Sequence, residues 1–269
     1  MRRRKPKNFD LEERLARYAD AIEVRPAAWA GRWAEACHPL VAAGDAVGLP
    51  RYREVRLDLG CGKGDWLVAC AARDPEVLWV GMDFEPVCVA YAAEAVCEAG
   101  LPNAVVVPGT GADVVRLFGP GELAQIAINF PTPFTRRRDA HLRLVALERL
   151  MEYRRVLAPG GRLRLRTDSQ PLRDFALGQL EIAGYDVLWS WDDERAHLPD
   201  EPVTYYEERL VAQGARVLSV CAVPGPEPEH VEQTRSLSLV DYLPEDLDAM
   251  GYVPYGMEWT VETIRRRRR

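Results

Sequence analysis

A chain of 269 residues suits one α/β domain with appended segments, and 48% hydrophobic residues are enough for a substantial core. The net charge of −6 would ordinarily argue against a nucleic-acid partner, but basic residues cluster at both ends and in Arg136-Arg137-Arg138. No apolar run approaches the roughly 18 residues that span a membrane, and the N-terminus lacks the apolar core of a secretion signal. We therefore expect a soluble cytoplasmic protein with no membrane partner.

The cysteines indicate a reducing compartment. They are scattered without a Cys-x-x-Cys pair, and we expect four of them to be buried. This spacing argues against both a zinc site and a disulfide framework, so we predict no metal. The six cysteines are Cys37, Cys61, Cys70, Cys88, Cys97 and Cys221.

The first 50 residues are predicted to form a basic arm and a helical extension. Apolar residues at helical spacing predict a helix over residues 11–18, after the basic leader at residues 1–5. This segment is either a solvated helix with a disordered leader or an arm that contacts RNA, and the sequence leaves both open. Glycine and proline punctuate the connection that ends near Pro50, so the main domain is predicted to begin at residue 51.

A glycine-rich loop is the feature around which the rest of the chain is organised. An apolar strand pattern at residues 55–59 ends in Gly60, Gly62 and Gly64, and an alanine-rich helical pattern follows. Glycine is needed where the backbone adopts positive φ or passes close to a ligand. The pattern therefore predicts a ligand that lies over the N-terminus of this helix.

Two acidic residues indicate which ligand this is. Asp58 precedes the loop, and Asp83 ends the next apolar run, where a carboxylate can accept hydrogen bonds from both ribose hydroxyls of a nucleotide. A Gly-x-Gly-x-Gly spacing preceded by an acid fits S-adenosylmethionine better than a dinucleotide, which usually requires Gly-x-Gly-x-x-Gly. We expect Asp58 to face the ammonium group of this cofactor. The alternative is a glycine-rich turn in another kind of α/β protein.

Strand and helix patterns alternate along the middle of the chain. Such alternation predicts a parallel sheet with helices on both faces and ligands at the carboxyl ends of the strands. The predicted strands cover residues 55–59, 77–82, 104–107, 124–129 and 161–167, and the predicted helices cover residues 65–73, 86–99, 112–117, 139–156 and 171–183. Two further strands, 185–191 and 215–223, are expected to form an antiparallel hairpin at one edge.

Three segments follow from this pattern: residues 1–50, a main domain at 51–224, and a C-terminal extension at 225–269. The polar insertion at residues 192–213 is too long for a tight turn, and long insertions at a ligand face are usually functional. The extension begins with a Pro-rich, acidic linker and ends in a run of arginines. Residues 236–263 contain aromatic and acidic residues but no clear period.

The loop after the fourth predicted strand carries the substrate chemistry. It reads Asn129-Phe130-Pro131-Thr132-Pro133-Phe134 and continues into the three arginines. Prolines fix the backbone, an aromatic ring can stack on a flat substrate, and arginine can hold phosphate. On these residues the chain resembles the bacterial tRNA (guanine-N7)-methyltransferase family, especially the branch in which this strand ends in Asn-Phe.

The resemblance extends from about Arg25 to about Val220. It implies a Rossmann-like class I methyltransferase fold, with a mostly parallel seven-stranded sheet and helices on both faces. It also implies S-adenosylmethionine as cofactor, tRNA as substrate, and a monomer or homodimer. Its motifs are the glycine loop, Pro120-Gly121-Glu122, residues 129–138, Thr167-Asp168 and Thr204-Tyr205-Tyr206-Glu207.

The resemblance also implies a set of site residues. Thr132 occupies the position of the carboxylate that the family uses in catalysis. The residues implied to bind the cofactor are Asp58, Gly60, Gly62, Gly64, Asp83, Thr110 and Asn129. The residues implied to bind the substrate are Arg136, Asp168, Thr204, Tyr206 and Glu207.

The chain departs from the family at three places. Thr132-Pro133-Phe134 replaces Asp-Pro-Trp, Thr110 replaces an acid, and His141-Leu142-Arg143 replaces Lys-Arg-Arg. Guanine N7 carries a lone pair and no proton, so its methylation needs orientation rather than a general base. Loss of the Asp would therefore cost on the order of 100-fold in rate without abolishing the reaction.

Two other functions stay open at this point. The first is a diverged paralogue that methylates another nucleobase or a small molecule. The second is a cofactor-binding RNA protein with little turnover.

Overall fold

The computed structural model describes residues 9–36, 38–40, 43–45 and 51–268. The predicted basic leader at residues 1–5 lies outside this part, as do Cys37, Pro50 and Arg269. The chain divides into two compact units, Met1–Ile126 and Ala127–Arg269. No helix in the described part is long and apolar enough to cross a membrane. The three-segment division stays a prediction.

Seven strands form one mixed sheet, as the alternating pattern predicts. The strands are β1 (Glu54–Leu59), β2 (Val77–Asp83), β3 (Ala104–Pro108), β4 (Leu123–Asn129), β5 (Leu157–Thr167), β6 (Tyr185–Trp191) and β7 (Leu218–Pro224). Their order across the sheet is β3-β2-β1-β4-β5-β7-β6. The helices are α1 (Leu11–Arg17), α2 (Asp65–Arg73), α3 (Pro86–Ala99), α4 (Val114–Leu117), α5 (Leu147–Val156), α6 (Gln170–Ile182), α7 (Tyr205–Val211) and α8 (Glu258–Arg268).

In the first unit, three parallel strands bring their carboxyl ends to one edge. Leu59 lies opposite Met82, and Asp83 lies opposite Pro108. All seven residues of β2 are buried, as expected for a strand covered on both faces. This register places the loop after β1 beside the acid that ends β2.

One carboxylate ties the N-terminal extension to the rest of the first unit, and a second forms a hydrogen bond within the extension. Glu122, from the predicted Pro-Gly-Glu motif, accepts the backbone N–H groups of Gly31 at 2.8 Å and Trp33 at 2.7 Å. Glu23 accepts the indole N–H of Trp29 at 2.7 Å. The indole rings of Trp29 and Trp33 are both buried, so this part of the extension belongs to the core. Helix α1, by contrast, buries none of its residues.

In the second unit, β7 lies between β5 and β6 and is antiparallel to both, which confirms the predicted edge hairpin. An irregularity between Val187 and Trp189 interrupts the outer pairing. The guanidinium of Arg154 donates to the backbone carbonyls of Ala183, Gly184 and Gly225 at 2.7 to 2.9 Å. These bonds fix the turn that leads into β6.

Three predicted elements are wrong in extent. The helix predicted over residues 139–156 is a 3₁₀ helix, Arg137–Leu142, followed by α5, because Arg143 is extended and its side chain turns inward. Strand β5 begins at Leu157 rather than at residue 161, and β7 begins at Leu218 rather than at residue 215. In addition, α8 begins inside residues 236–263, where no element is predicted, because its mean hydropathy is too low for an apolar stripe to stand out.

Candidate active site

The glycine loop after β1 is held in a left-handed conformation. Gly60, Gly62 and Gly64 have φ of 82°, 58° and 83°, which residues with a Cβ rarely adopt. A Cβ on Gly64 would lie 2.9 Å from the Cα of Ala92, whereas one on Gly62 would meet nothing within 4 Å. The loop therefore packs tightly against α3 at one end and is open at its middle.

The acids predicted from sequence converge on this loop. Asp83 accepts the backbone N–H of Gly62 at 3.0 Å and that of Glu85 at 2.9 Å. Asp58 is buried within β1. Burial, and then the nearby carboxylates of Asp83 and Asp58, raise the pKa of the Cys61 thiol well above its usual value. Cys61 therefore stays a neutral thiol, which suits a filler rather than a nucleophile.

Thr110 lies two residues after the end of β3, where the family that the chain resembles carries an acid, and another carboxylate lies close by. Asp113 accepts the backbone N–H of Thr110 at 2.9 Å and its hydroxyl at 2.8 Å. The guanidinium of Arg116 holds the pKa of Asp113 below its usual value. Sequence reasoning missed Asp113, although the Thr-x-x-Asp spacing is a capping-box signal that could have found it.

The loop that follows β4, residues 129–138, is called here the Pro-rich loop. Phe130 and Phe134 have φ of 47° and 44°, a conformation that costs a bulky residue about 1–2 kcal/mol. The N–H of Phe130 donates to the carbonyl of Arg166 at 2.7 Å, which ties the loop to β5. Thr132, which lies between these two residues in the sequence, is exposed. The loop thus presents Thr132 on strained but anchored backbone.

Two basic positions near this loop have different environments. Arg136 is exposed at the start of the 3₁₀ helix. Arg143 is buried, and its guanidinium donates to the carbonyls of Pro133, Phe134 and Leu237 at 2.6 to 3.1 Å. Burial lowers the pKa of Arg143 to about 10. Arg143 therefore holds the backbone, while Arg136 faces solvent.

The predicted Thr204-to-Glu207 element contributes Glu207 to a largely buried cluster of ion pairs. The members of this arginine–glutamate cluster are Arg164, Arg166, Glu194, Arg195, Glu201 and Glu207. Arg166 donates to Glu194 and to Glu207 at 2.6 Å each, and Arg195 also pairs with Glu207. Thr204 accepts the N–H of Glu207 and so caps α7.

The cluster contains three arginines and three glutamates, so its charges balance. Burial alone would raise the pKa of Glu194, but Arg166 and Arg164 outweigh it and hold this pKa below its usual value. Arg166 also reaches the side-chain oxygen of Asn129 at 3.4 Å, a weak contact. The cluster therefore links the end of β4, strand β5 and α7 through one fully buried guanidinium.

Asp168 follows β5 and meets the C-terminal extension. One of its carboxylate oxygens accepts the hydroxyl of Tyr252 at 2.7 Å and the backbone N–H of Tyr255 at 2.8 Å. Tyr255 in turn lies beside Tyr206, with ring centroids 6.3 Å apart. The sequence does not predict Tyr252 or Tyr255 as site residues, since residues 236–263 show no clear period.

The structure therefore brings the predicted site residues together in groups. Asp58, Asp83 and the three glycines meet at one loop of the first unit. In the second unit, Asn129 and Glu207 share Arg166, and Asp168 and Tyr206 share Tyr255. Among the described residues, no three His, Cys, Asp or Glu side chains are grouped to hold a metal. The five described cysteines are free thiols, four of them buried as predicted.

A protein-family model matches residues 52–220, which is more than half of the chain. Its family is Methyltransf_4, described as "Putative methyltransferase". The chain belongs to this family. It is an S-adenosylmethionine-dependent methyltransferase, which confirms the cofactor predicted from the glycine loop.

Similar proteins and structures agree with this family. A tRNA (guanine-N(7)-)-methyltransferase of Lactococcus lactis subsp. cremoris is 28% identical over 75% of this chain and 89% of its own length. One from Geobacillus thermodenitrificans is 27% identical over 80% of this chain and 95% of its own. The crystal structure of the 16S rRNA methyltransferase KamB is 20% identical, covers 65% of this chain and 89% of its own, and superposes with a TM-score of 0.53. The fold is therefore that of class I methyltransferases, as predicted.

The loop in the first unit fits S-adenosylmethionine by its chemistry. The open face at Gly62 leaves room for a ligand over the backbone. Asp58 offers a buried carboxylate that suits an ammonium group. Each carboxylate oxygen can accept more than one hydrogen bond, so Asp83 can hold the loop and still accept from hydroxyls. The family's cofactor and this donor set are therefore compatible.

Proposed function

We propose that the protein methylates N7 of a guanine in tRNA. The observation that carries this proposal is the similarity to bacterial proteins named tRNA (guanine-N(7)-)-methyltransferase, which spans 75% to 80% of this chain. The departure at Thr132 bears on rate rather than on the type of reaction, because N7 needs no general base.

In this proposal the first unit holds the cofactor. Asp58 faces the ammonium group, Asp83 accepts from the ribose hydroxyls, and the backbone of Gly60, Gly62 and Gly64 lies against the ligand. Thr110, with the carboxylate of Asp113 nearby, would border the adenine. When bound, S-adenosylmethionine supplies an electrophilic methyl group.

The second unit holds the RNA in the same proposal. The strained Pro-rich loop positions Asn129 and Thr132 at the reacting centre, and the exposed Arg136 contacts phosphate. Asp168 accepts from the N–H edge of the guanine. The buried cluster supports this face, since Glu207 and Thr204 fix the start of α7 and thereby the position of Tyr206.

The threonine at position 132 favours a second candidate function. A carboxylate at this position would hold a base's N–H groups, and a hydroxyl does so less strongly. A diverged paralogue that methylates another nucleobase or a small molecule would have lost the carboxylate for that reason. A cofactor-binding RNA protein with little turnover is the non-enzymatic alternative.

One experiment separates the three. The protein is incubated with labelled S-adenosylmethionine and unmodified tRNA, and N7-methylguanosine is located by chemical cleavage of the RNA. We expect label at a single guanine. Label that appears only with a metabolite extract would favour the paralogue. Binding of both cofactor and tRNA without transfer would favour the non-enzymatic protein.

A further inference from the structure

The C-terminal turn, residues 252–257, packs onto predicted substrate residues of the second unit. The N–H of Met257 donates to the carbonyl of Pro254 at 2.9 Å, and Gly256 has φ of 82°, which together define a type II turn with Tyr255 at its tip. Pro254 and Met257 are buried, whereas Tyr255 is 43% exposed. The turn is thus anchored by its two buried ends and exposes the ring of Tyr255 to solvent.

Three contacts anchor the turn at the predicted substrate face. Tyr252 and the backbone of Tyr255 both donate to Asp168. The Sδ of Met257 lies 3.5 Å from the Oγ of Ser169. A Cβ on Gly256 would lie 3.5 Å from Pro133, so the turn also borders the Pro-rich loop.

Resting on the proposed function, we propose that the C-terminal turn forms one wall of the RNA-binding site and that Tyr255 stacks on a nucleobase there. The exposed ring lies beside Tyr206, and the guanidinium of Arg209 lies 5.6 Å from its centroid. Aromatic rings and arginine planes next to a hydrogen-bond acceptor are the chemistry by which proteins grip unpaired bases. The acceptor here is Asp168, which the turn itself positions.

The exposure of Asp168 and of the Tyr255 ring argues against a turn that only blocks access to the RNA-binding site. Asp168 is only half-buried, although two donors of the turn bind it. These two donors share one carboxylate oxygen, and a carboxylate offers about four lone-pair positions in all. A base can therefore approach the acid and the ring while the turn stays in place. The turn also lies outside residues 52–220, so it adds to the family's matched region.

The first test compares the kinetics of Tyr255→Ala, Tyr255→Phe and the parent protein on tRNA. Loss of one base–aromatic stack corresponds to about 5- to 150-fold in binding, so Tyr255→Ala should raise KM for tRNA within this range. Its affinity for S-adenosylhomocysteine should not change. Tyr255→Phe should restore the parent KM, because the ring alone provides the stack. Trp259→Ala is the matched control, since Trp259 is 68% exposed on the same extension, and it should behave as the parent.

The second test does not need turnover. Irradiation with 8-azidoguanosine monophosphate should label a peptide that contains Tyr255 or Tyr206, and the label should be lost in Tyr255→Ala and kept in Tyr255→Phe. A parent that leaves tRNA unmethylated but shows this labelling would overturn the proposed tRNA function and support the stacking site. Faster methylation by Tyr255→Ala would show that the turn blocks the site. Labelling unchanged by Tyr255→Ala would show that the ring does not stack on the base. Either result overturns the inference.

Discussion

The two units hold their site residues by different means. In the first unit, three left-handed glycines and one carboxylate that accepts two backbone N–H groups shape the loop. In the second unit, a largely buried set of three arginines and three glutamates holds the predicted substrate face. Backbone geometry is local and tolerates little variation, whereas an ion-pair cluster is assembled from distant parts of the chain. The first kind of site is therefore more easily read from sequence.

The largest expected effect comes from breaking the cluster in the second unit. Arg166→Ala removes a fully buried guanidinium and leaves Glu194 and Glu207 with one fewer cation each. Removal of one partner from a buried ion pair typically costs about 3–5 kcal/mol. Urea unfolding at neutral pH should show this loss. Arg266→Ala, which breaks an exposed pair with Glu262, should leave the midpoint unchanged and so controls for loss of an arginine.

A slightly smaller effect is expected from a methyl group in the glycine loop. Gly64→Ala forces a left-handed alanine and a contact of 2.9 Å with the Cα of Ala92, for a combined cost of about 2–4 kcal/mol. Gly100→Ala is the matched control, because Gly100 is also left-handed but a Cβ there meets nothing within 4 Å. Its cost should be about 1 kcal/mol, that of the left-handed conformation alone. Equal losses in thermal unfolding would contradict tight packing between the loop and α3.

Asp83→Ala tests the binding role of the first unit. The change removes the predicted acceptor for the ribose hydroxyls and releases the N–H of Gly62. Calorimetry with S-adenosylhomocysteine should show an affinity about 10- to 100-fold lower, in line with hydrogen bonds to a charged group. Asp74→Ala removes an equal charge from the same unit, at a residue that follows α2, and should bind as the parent does. Unchanged binding by Asp83→Ala would show that the ribose assignment is wrong.

Thr132→Asp tests whether the Pro-rich loop of the second unit recognises the base. If the protein is a tRNA methyltransferase, the carboxylate adds a stronger acceptor for the base and should raise kcat/KM on tRNA by about tenfold. Cofactor affinity should stay the same, which places the effect at base recognition.

Asn129→Ala is the companion variant. If Asn129 binds the base in place of the family's carboxylate, Thr132→Asp should change activity little and Asn129→Ala should abolish it. If the parent protein is inactive on tRNA and Thr132→Asp is equally inactive, the tRNA interpretation of this loop is wrong. A loss of activity on another substrate would point to a pocket that cannot accept a new charge.

The sequence predicts the first unit well because its signals are local. Alternating apolar residues mark β1 and β2, and the glycine spacing with Asp58 and Asp83 identifies the cofactor. The cluster of the second unit is not predictable in this way. Arg164 and Arg166 look like ordinary polar positions of a strand, and their partners lie 28 to 41 residues further along the chain. Tyr252 and Tyr255 contact Asp168 across 84 and 87 residues, which no local pattern reveals.

The buried guanidinium of Arg143 has a consequence for motion. It holds the carbonyls of Pro133 and Phe134 in the Pro-rich loop and the carbonyl of Leu237 in the C-terminal extension. A backbone hydrogen bond from the N–H of Leu239 to the carbonyl of Thr135 also joins these two segments. Neither segment can open without breaking these bonds, so the two should unfold locally as one cooperative unit. The amide hydrogen of Leu239 should then exchange with solvent at the rate at which the loop itself opens.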